Sequence, residues 1–216
     1  MLERERDQVA AAARSLAAEG LVLGTAGNVS VRADDLVAVT PTGAALERLA
    51  VDEVAVVDLD GTLVEGDLAP TSELELHLGI YRRYGAGAVV HAHSPIATAL
   101  ACVLDELPLV HYQMLSLGGP LRIAPYSTFG TPELAQLTLD ALQDRAAALM
   151  ANHGMIAHGP DLDAAMENTR LVEWSAELYW RAAAIGRPRT LDDGDVQALI
   201  EAVTTRGYGS MQGSAR

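Results

Sequence analysis

The sequence predicts an α/β fold, in which strands and helices alternate along the chain. Short apolar runs that are typical of strands separate longer amphipathic segments that are typical of helices. The clearest example is residues 88–95, Ala-Val-Val-His-Ala-His-Ser-Pro, where an apolar strand gives way to a helix. Ser94 suits the N-cap of that helix, and Pro95 suits its first position.

The composition indicates one globular domain that spans residues 1–216. Half of the residues are hydrophobic and 20% are charged, which is enough apolar surface for a real core. The length would also fit two small domains, but no linker, repeat or low-complexity segment divides the chain. The formal net charge of −14 argues against nucleic acid and anionic membrane surfaces as partners.

The residue types that are rare or missing restrict location and chemistry. A single cysteine, Cys102, allows no intrachain disulfide, and no signal peptide or 18-residue apolar run is present, so a cytoplasmic protein is expected. All fifteen basic residues are arginine. Without lysine, a Schiff base, a Walker A site and a lysine-bound pyridoxal phosphate are excluded. Carbanion chemistry in this chain would therefore need a metal ion as the electron sink.

The first part of the chain predicts a helix followed by short strands. Residues 3–19 carry apolar side chains at helical spacing. Residues 24–32 form a small-residue loop that leads into an alternating strand, and residues 36–40 predict a second strand before the turn at 41–43. Both loops expose backbone N–H groups, so each is either a tight turn or an anion site. The residues alone leave both interpretations open.

Residues 54–66 also allow two interpretations. An apolar strand that ends in Asp58-x-Asp60-Gly-Thr resembles the nucleophile motif of haloacid-dehalogenase-type phosphatases. Those enzymes usually carry the motif on their first strand and use a downstream lysine, whereas strands precede it here and lysine is absent. We therefore favour a β-hairpin with an Asp-Gly turn.

The rest of the chain predicts further helices. Pro70-Thr71-Ser72-Glu73 opens a helix at 74–84, with Ser72 as the N-cap and Glu73 in the first turn. The free N–H and hydroxyl donors there mark either a plain helix start or an anion site. Later helices are predicted at 95–104, 132–145 with Thr131 as its cap, 161–184 and 195–206, followed by a flexible tail at 207–216.

Histidines at the end of the central strand indicate a metal site. His91 and His93 lie two residues apart in a strand, so their side chains point to the same face. A catalytic zinc usually has three protein ligands and one open position. The best third candidate is His153, which follows an apolar run and precedes a glycine. The weaker candidates are His77, His111 and His158. From the residues alone, a metal site and a half-exposed strand that binds nothing both stay open.

Six motifs, in this order, resemble those of the class II aldolase/epimerase/adducin family. They are Gly24-Thr25-Ala26-Gly27-Asn28-Val29-Ser30, Pro41-Thr42-Gly43, Thr71-Ser72-Glu73, His91-Ala92-His93-Ser94, Ala124-Pro125-Tyr126-Ser127-Thr128-Phe129-Gly130 and Asn152-His153-Gly154. Each is weak alone, but the ordered set is highly specific and covers nearly the whole chain. The resemblance implies a three-layer α/β/α domain with a central, largely antiparallel mixed sheet. It also implies a homotetramer with active sites between subunits.

The resemblance implies roles for individual residues, carried over by position. The implied metal ligands are His91, His93 and His153, and the implied ion is Zn²⁺, with Co²⁺ or Mn²⁺ as possible substitutes. The implied catalytic residues are Glu73 as the base, Tyr112 from across the subunit interface, and Tyr208 from a mobile C-terminus. The implied phosphate pocket comprises Thr25, Gly27, Asn28, Thr42, Gly43, Thr71 and Ser72.

Together these residues imply a zinc-dependent aldolase, which is a carbon–carbon lyase acting on a small phosphorylated sugar. It would cleave or form a ketose 1-phosphate, such as L-fuculose 1-phosphate or a related deoxy-ketose 1-phosphate, from dihydroxyacetone phosphate and a short aldehyde such as lactaldehyde. A methylthioribulose-1-phosphate dehydratase of the same family would share the histidines and Glu73, whereas sugar-phosphate 4-epimerases tend to carry Asp at that position. A non-catalytic adducin-like module would be expected to lack the histidines, and all three are present.

Overall fold

Within residues 1–206, which the computed structural model describes, nine strands form one sheet with helices on both faces. The strands are β1 (Asn28–Ala33), β2 (Leu36–Val39), β3 (Ala55–Asp58), β4 (Leu63–Glu65), β5 (Ala88–Ala92), β6 (Glu106–Leu107), β7 (Leu121–Ala124), β8 (Ala147–Met150) and β9 (Gly154–Gly159). The helices are α1 (Glu3–Ala18), α2 (Leu74–Tyr84), α3 (Pro95–Ala101), α4 (Pro132–Ala141), α5 (Leu162–Ile185) and α6 (Asp193–Arg206). The predicted tail at 207–216, with Tyr208, lies outside the described residues.

The strand order across the sheet is β4-β3-β2-β1-β5-β9-β8-β7-β6. Among the described strands, β7 and β8 run parallel, and the other neighbouring pairs run antiparallel. A parallel pair needs a long crossover connection, which α4 supplies between β7 and β8. The predicted α/β fold with a largely antiparallel mixed sheet is confirmed. In the same range of residues, no helix is long and apolar enough to cross a lipid bilayer.

Alternate residues of the central strand β5 point into two separate cores. Ala88, Val90 and Ala92 belong to the core that α1, α3 and α5 cover. Val89 belongs to the core on the opposite face, under α2 and α4. Because side chains alternate along a strand, His91 points to the same face as Val89. The sheet register therefore directs His91 toward the layer that contains α2.

Helix α2 spans the predicted residues 74–84, but its N-cap differs from the prediction by one residue. Glu73, not Ser72, is the N-cap residue. The reason lies in Thr71, whose carbonyl oxygen accepts the Leu74 N–H at 3.1 Å and whose hydroxyl accepts the Glu73 N–H at 3.3 Å. Thr71 thus turns the chain just before the helix and leaves the Glu73 side chain at the helix entrance.

The cap of α3 also differs from the simple sequence pattern. Ser94 occupies the N-cap position, but its hydroxyl makes no capping hydrogen bond. Instead, the Glu173 carboxylate on α5 accepts the N–H groups of Ile96 at 2.9 Å and Ala97 at 2.8 Å. The Glu173 carboxylate therefore caps α3, a role that the sequence pattern assigns to the Ser94 hydroxyl.

Two helices end at least three residues earlier than their patterns predict. Helix α3 ends at Ala101 instead of residue 104, and α4 ends at Ala141 instead of residue 145. The N–H groups of Cys102 and Gln143 bond to carbonyl groups three residues back, as in a turn. The Thr131 cap of α4 is confirmed, because its side chain accepts the Leu134 N–H at 3.2 Å.

Residues 54–66 form the favoured hairpin. Strands β3 and β4 pair antiparallel. The Asp58 carboxylate accepts the backbone N–H groups of Asp60 at 2.9 Å and Thr62 at 2.8 Å, which holds the turn. Asp58 has a structural role in this turn, at the β4 edge of the sheet.

Candidate active site

Three imidazole rings meet where the central strands end. The ring centroids of His91, His93 and His153 lie 4.8 to 4.9 Å apart in every pair. One ligand atom from each ring lies within 4.8 Å of the other two. His91 is on β5, His93 follows the end of that strand, and His153 lies in the turn between β8 and β9. The structure thus brings the three predicted histidines to one point.

The pairing of β5 with β9 explains this convergence. In the antiparallel register, His91 lies opposite Ile156 and Ala92 lies opposite Met155, so the β8–β9 turn lies beside the end of β5. The Nδ1 atom of His91 is 2.8 Å from the Met155 carbonyl oxygen. Because a carbonyl oxygen can only accept, Nδ1 carries the proton and Nε2 presents its lone pair to the cluster.

The electrostatics of the cluster suit a bound cation. Nε2 of His91 lies 2.9 Å from Nε2 of His93 and 3.1 Å from Oε2 of Glu73. Burial, with the neighbouring His91 and His153, lowers the pKa of His93 to about 4. Burial and His91 also hold the pKa of His153 below its ordinary value. The lowered pKa values of His93 and His153 favour their neutral, metal-binding forms, and with His91 these rings make up the donor set of a three-histidine metal site.

Glu73 gives a second indication of a cation. Its side chain is 7% exposed, and Oε2 accepts a hydrogen bond from Asn28 Nδ2 at 2.9 Å. Oε1 is buried without a hydrogen-bond partner and lies 3.5 Å from Nε2 of His153. Burial raises the pKa of the carboxyl group, but His91, Asn28 and His153 outweigh burial and bring the pKa below its ordinary value. An ionised, buried oxygen without a donor fits a metal ion beside it.

A cavity of about 420 Å³ opens beside the histidines. All seven residues that the family resemblance assigns to a phosphate pocket line it, namely Thr25, Gly27, Asn28, Thr42, Gly43, Thr71 and Ser72. Its other walls include Glu73, His93 and His153. No arginine of the described range is among the lining residues. The cavity therefore offers backbone N–H groups, hydroxyls and the amides of Asn28 and Asn152 to an anion.

Backbone contacts hold the loops of this cavity in place. Pro41 and Pro70 form an isolated antiparallel bridge, and the Thr71 N–H donates to the Thr40 carbonyl at 3.0 Å. Gly27 has a φ of +88°, and a Cβ atom there would lie 2.9 Å from the His91 carbonyl oxygen. The first loop can therefore pack against β5 only because residue 27 is glycine.

The single chain does not bring every predicted residue to this cavity. Tyr112 begins the 3₁₀ turn Tyr112–Leu117 and is 39% exposed. It lines a different cavity, of about 840 Å³, between that turn, α5 and α6. Tyr208 lies outside the described residues. Asn28 does line the candidate site, but its amide already contacts Glu73 and His77.

The sequence interpretation missed the buried polar residues behind Glu73. His77 is a weak metal candidate by sequence, yet it is fully buried and contacts Ser30 and Asn28 instead of the histidine cluster. One signal was available, because Glu73 and His77 are four residues apart and so share a helix face. The contribution of Ser30 depends on how α2 packs on β1, which no local pattern reveals.

Comparison with known proteins places this site in a family. The model of the class II aldolase and adducin N-terminal domain matches residues 7–180. A 5-deoxy-D-ribulose 1-phosphate aldolase from Bacillus thuringiensis serovar kurstaki is 37% identical over 212 residues, covering 97% of this chain and 99% of that protein. A 5-methylthioribulose-1-phosphate/5-deoxyribulose-1-phosphate aldolase from Rhodospirillum rubrum is 41% identical over 198 residues, covering 91% and 89%.

A solved structure gives the same result. An L-fuculose 1-phosphate aldolase is 34% identical to this chain. The two structures agree with a TM-score of 0.88 over 93% of this chain and 96% of that one. The chain therefore belongs to the class II aldolase family of metal-dependent enzymes.

Proposed function

We propose that this protein is a zinc-dependent aldolase that cleaves and forms a deoxy-ketose 1-phosphate. The products of cleavage are dihydroxyacetone phosphate and a short aldehyde such as lactaldehyde. One observation carries the proposal: three convergent histidines and a buried carboxylate lie beside a cavity whose other wall consists of neutral anion donors. The relatives named above are aldolases of 5-deoxyribulose 1-phosphate, 5-methylthioribulose 1-phosphate or L-fuculose 1-phosphate, and their names support a substrate of this class.

His91, His93 and His153 would hold the metal ion through their Nε2 atoms. When bound, the ion supplies Lewis-acid chemistry, which stabilises negative charge on the oxygens of an enediolate. A three-imidazole site suits Zn²⁺ and also accepts Co²⁺ or Mn²⁺. The absence of lysine from the chain supports the proposal, because an aldolase without lysine cannot form a Schiff base.

Glu73 is the proposed base. Its Oε2 is bonded to Asn28, whereas its buried Oε1 has no hydrogen-bond partner and lies 3.5 Å from Nε2 of His153, a residue that lines the cavity. Oε1 is thus the atom available to take a proton from the hydroxymethyl carbon of dihydroxyacetone phosphate in the synthetic direction. In cleavage, the same oxygen returns that proton.

The substrate phosphate is proposed to bind the loops at 25–28, 42–43 and 71–72. Thr25, Thr42 and Ser72 are exposed and line the cavity, and Gly27 and Gly43, which also line it, have positive φ values. Such concave sets of N–H and hydroxyl groups bind phosphate without a cation. This arrangement suits a chain with a formal net charge of −14 and no lysine.

Completion of the site is proposed to involve a second subunit. The family resemblance assigns Tyr112 to the site of a neighbouring subunit in a homotetramer, where it protonates the alkoxide of the aldehyde-derived half. Tyr112 lines the 840 Å³ cavity and is not among the residues that line the 420 Å³ cavity of its own chain. This placement supports the assignment to a neighbouring subunit. We further propose that Tyr208 helps to close the site and that the enzyme acts in the cytoplasm.

The test is release of dihydroxyacetone phosphate by metal-stripped protein, with and without added zinc. L-Fuculose 1-phosphate and 5-deoxyribulose 1-phosphate are the two substrates to compare. We expect no release without zinc and cleavage of at least one substrate with it. The His93→Gln variant should release no dihydroxyacetone phosphate even with added zinc. The control is His158→Gln, at the end of β9 away from His153, which should show the same zinc-dependent release as wild type.

Two results would contradict the proposal. A zinc-loaded protein that cleaves neither substrate would favour a dehydratase or an epimerase of the same family. A protein that binds no zinc would exclude the three-histidine site itself.

A further inference from the structure

A row of hydrogen-bonded, buried side chains leads from the core to the Glu73 carboxylate. Tyr81 and His77 lie four residues apart on α2, and Ser30 and Asn28 lie two residues apart on β1, so each pair shares a face. The Ser30 hydroxyl lies 2.6 Å from the Tyr81 hydroxyl and 2.6 Å from Nδ1 of His77. Nε2 of His77 lies 2.5 Å from Oδ1 of Asn28.

The chemistry of these four side chains fixes the direction of each hydrogen bond that connects them. Oδ1 of Asn28 is a carbonyl oxygen and can only accept, so Nε2 of His77 must donate to it. Burial lowers the pKa of His77 to about 3, so the ring is neutral and carries one proton. Nδ1 of His77 therefore accepts from Ser30, which in turn accepts from Tyr81. All the donors thus point toward Glu73, whose Oε2 receives the last hydrogen bond from Asn28 Nδ2.

We propose that His77 is a positioning residue, whose Nε2–H group fixes the Asn28 amide so that Nδ2, and not Oδ1, faces the Glu73 carboxylate. This inference rests on the proposed function, because it assigns Oε1 of Glu73 to proton transfer. The Asn28 amide has two orientations that fill the same space. In the wrong one, its carbonyl oxygen would face Oε2 of Glu73, and two acceptors would repel each other. A single donor at residue 77 selects the orientation that holds Oε2 and leaves Oε1 free.

A purely structural role for His77 predicts different results. A buried ring that only fills space would affect stability, and its tautomer and the chemical identity of its donor would not matter. The positioning role requires the Nε2–H tautomer and a donor at that place. A glutamine at residue 77 can present an N–H group at a similar distance from the main chain, whereas phenylalanine fills the space without a donor.

The first measurement uses protein labelled with ¹⁵N in its histidine rings. Nitrogen NMR of the metal-free and the zinc-loaded protein reports which ring nitrogen carries the proton, and the His77→Gln variant assigns the His77 signal. We expect the Nε2–H tautomer of His77 in both forms. The Nδ1–H tautomer would overturn the proposal. This readout needs no substrate, so it decides the inference even if the protein turns over no ketose 1-phosphate and the proposed function fails.

The second measurement compares variants in the aldol cleavage reaction. We expect His77→Phe to lower kcat about 10- to 100-fold, with KM and the zinc dissociation constant within about threefold of wild type. His77→Gln should stay within about fivefold of the wild-type kcat. The control is Thr138→Val, since Thr138 is fully buried on α4 and its hydroxyl has no partner among the described residues.

Three kinetic results would contradict the positioning role. They are an unchanged kcat in His77→Phe, an equal loss of kcat in the Phe and Gln variants, and a loss confined to KM or zinc affinity. If His77→Phe does not fold, the tautomer and the His77→Gln variant still decide the question.

Discussion

Gly154 packs so closely against Ala92 that a Cβ atom at residue 154 would lie 2.5 Å from the Ala92 carbonyl oxygen. The same atom would lie 3.1 Å from Cδ2 of His93 and 3.3 Å from Cε1 of His91. His91 and His93, two of the three proposed metal ligands, therefore pack directly against the backbone of Gly154. The glycine after His153 has a steric role as well as marking a turn.

The first prediction concerns this contact. Gly154→Ala should displace the β8–β9 turn from β5, and with it the imidazoles of His91 and His93. We expect the zinc dissociation constant, measured by competition with a chelator, to rise at least about tenfold. Gly186→Ala is the control, because no atom lies within 4 Å of the added methyl group and its φ of 170° is extended backbone. Wild-type zinc affinity in Gly154→Ala would show that the turn relaxes without moving the histidines.

A second prediction separates proton transfer from metal binding. Glu73→Gln keeps the shape of the side chain but removes the basic oxygen. We expect zinc binding to persist and kcat to fall by about 10²- to 10⁴-fold, the usual contribution of a general base. Glu75→Gln, on the exposed side of the same helix turn, should retain wild-type activity. An activity of Glu73→Gln within a few-fold of wild type would mean that another group removes the proton.

A third prediction tests how α3 is held. Glu173 accepts two N–H groups at the first turn of that helix, and no local side chain replaces it. Removing a capping oxygen usually costs about 0.5–2 kcal/mol. We expect Glu173→Ala to lower the free energy of unfolding by about that amount in urea titrations. Glu177→Ala is the matched control, one turn further along α5, where within residues 1–206 the carboxylate bonds to the exposed Arg181 and to no other side chain. Equal effects of the two variants would exclude a capping role.

The fourth prediction concerns pH. His158 stacks on Tyr84 with ring centroids 5.5 Å apart, and its Nε2 donates to the Arg145 carbonyl at 3.1 Å. Burial holds the pKa of His158 below its ordinary value of 6.5. Below about pH 6.5 the unfolded chain therefore binds a proton that the folded protein resists, so the free energy of unfolding decreases as the pH falls through that value.

The test of that prediction is a comparison of two proteins at two pH values. His158→Phe keeps an aromatic ring on Tyr84 but removes the titrating group. In metal-free protein, the loss of unfolding free energy between pH 7.5 and pH 5.5 should be smaller in His158→Phe than in wild type. The variant can be less stable at both pH values, because it lacks the bond to Arg145; only the pH dependence is diagnostic. An unchanged pH dependence would assign it to other groups.

Local patterns predicted what depends on neighbouring residues in the chain. The same-face placement of His91 and His93 follows from strand geometry, and the cap at Thr131 follows from residue type. The hairpin at 54–66 follows from its turn residues. These features need no knowledge of how distant segments pack.

Features that depend on long-range packing were not predictable from the residues alone. Glu173 is 76 residues from Ala97, whose N–H group it accepts, and Ser30 is 47 residues from His77. Nothing in either local segment indicates its partner. The one-residue error at Ser72 has the same origin, because Thr71 bonds both to the β2 end and to the helix start. The seven pocket residues lie together as the family resemblance implied, while their role in phosphate binding stays a prediction.

The candidate site is assembled across three adjacent strands whose partners are far apart in the chain. Asn28 lies opposite His91 in the β1–β5 pair, and His91 bonds to Met155, 64 residues away. The three histidines converge only where these strands pair, so a cation that binds all three stabilises the folded sheet. At a free metal concentration about 100-fold above its dissociation constant, this linkage adds about 2.7 kcal/mol to the free energy of unfolding. Metal supply would thereby govern the resistance of this protein to proteases as well as its turnover, and zinc starvation would shorten its lifetime in the cell.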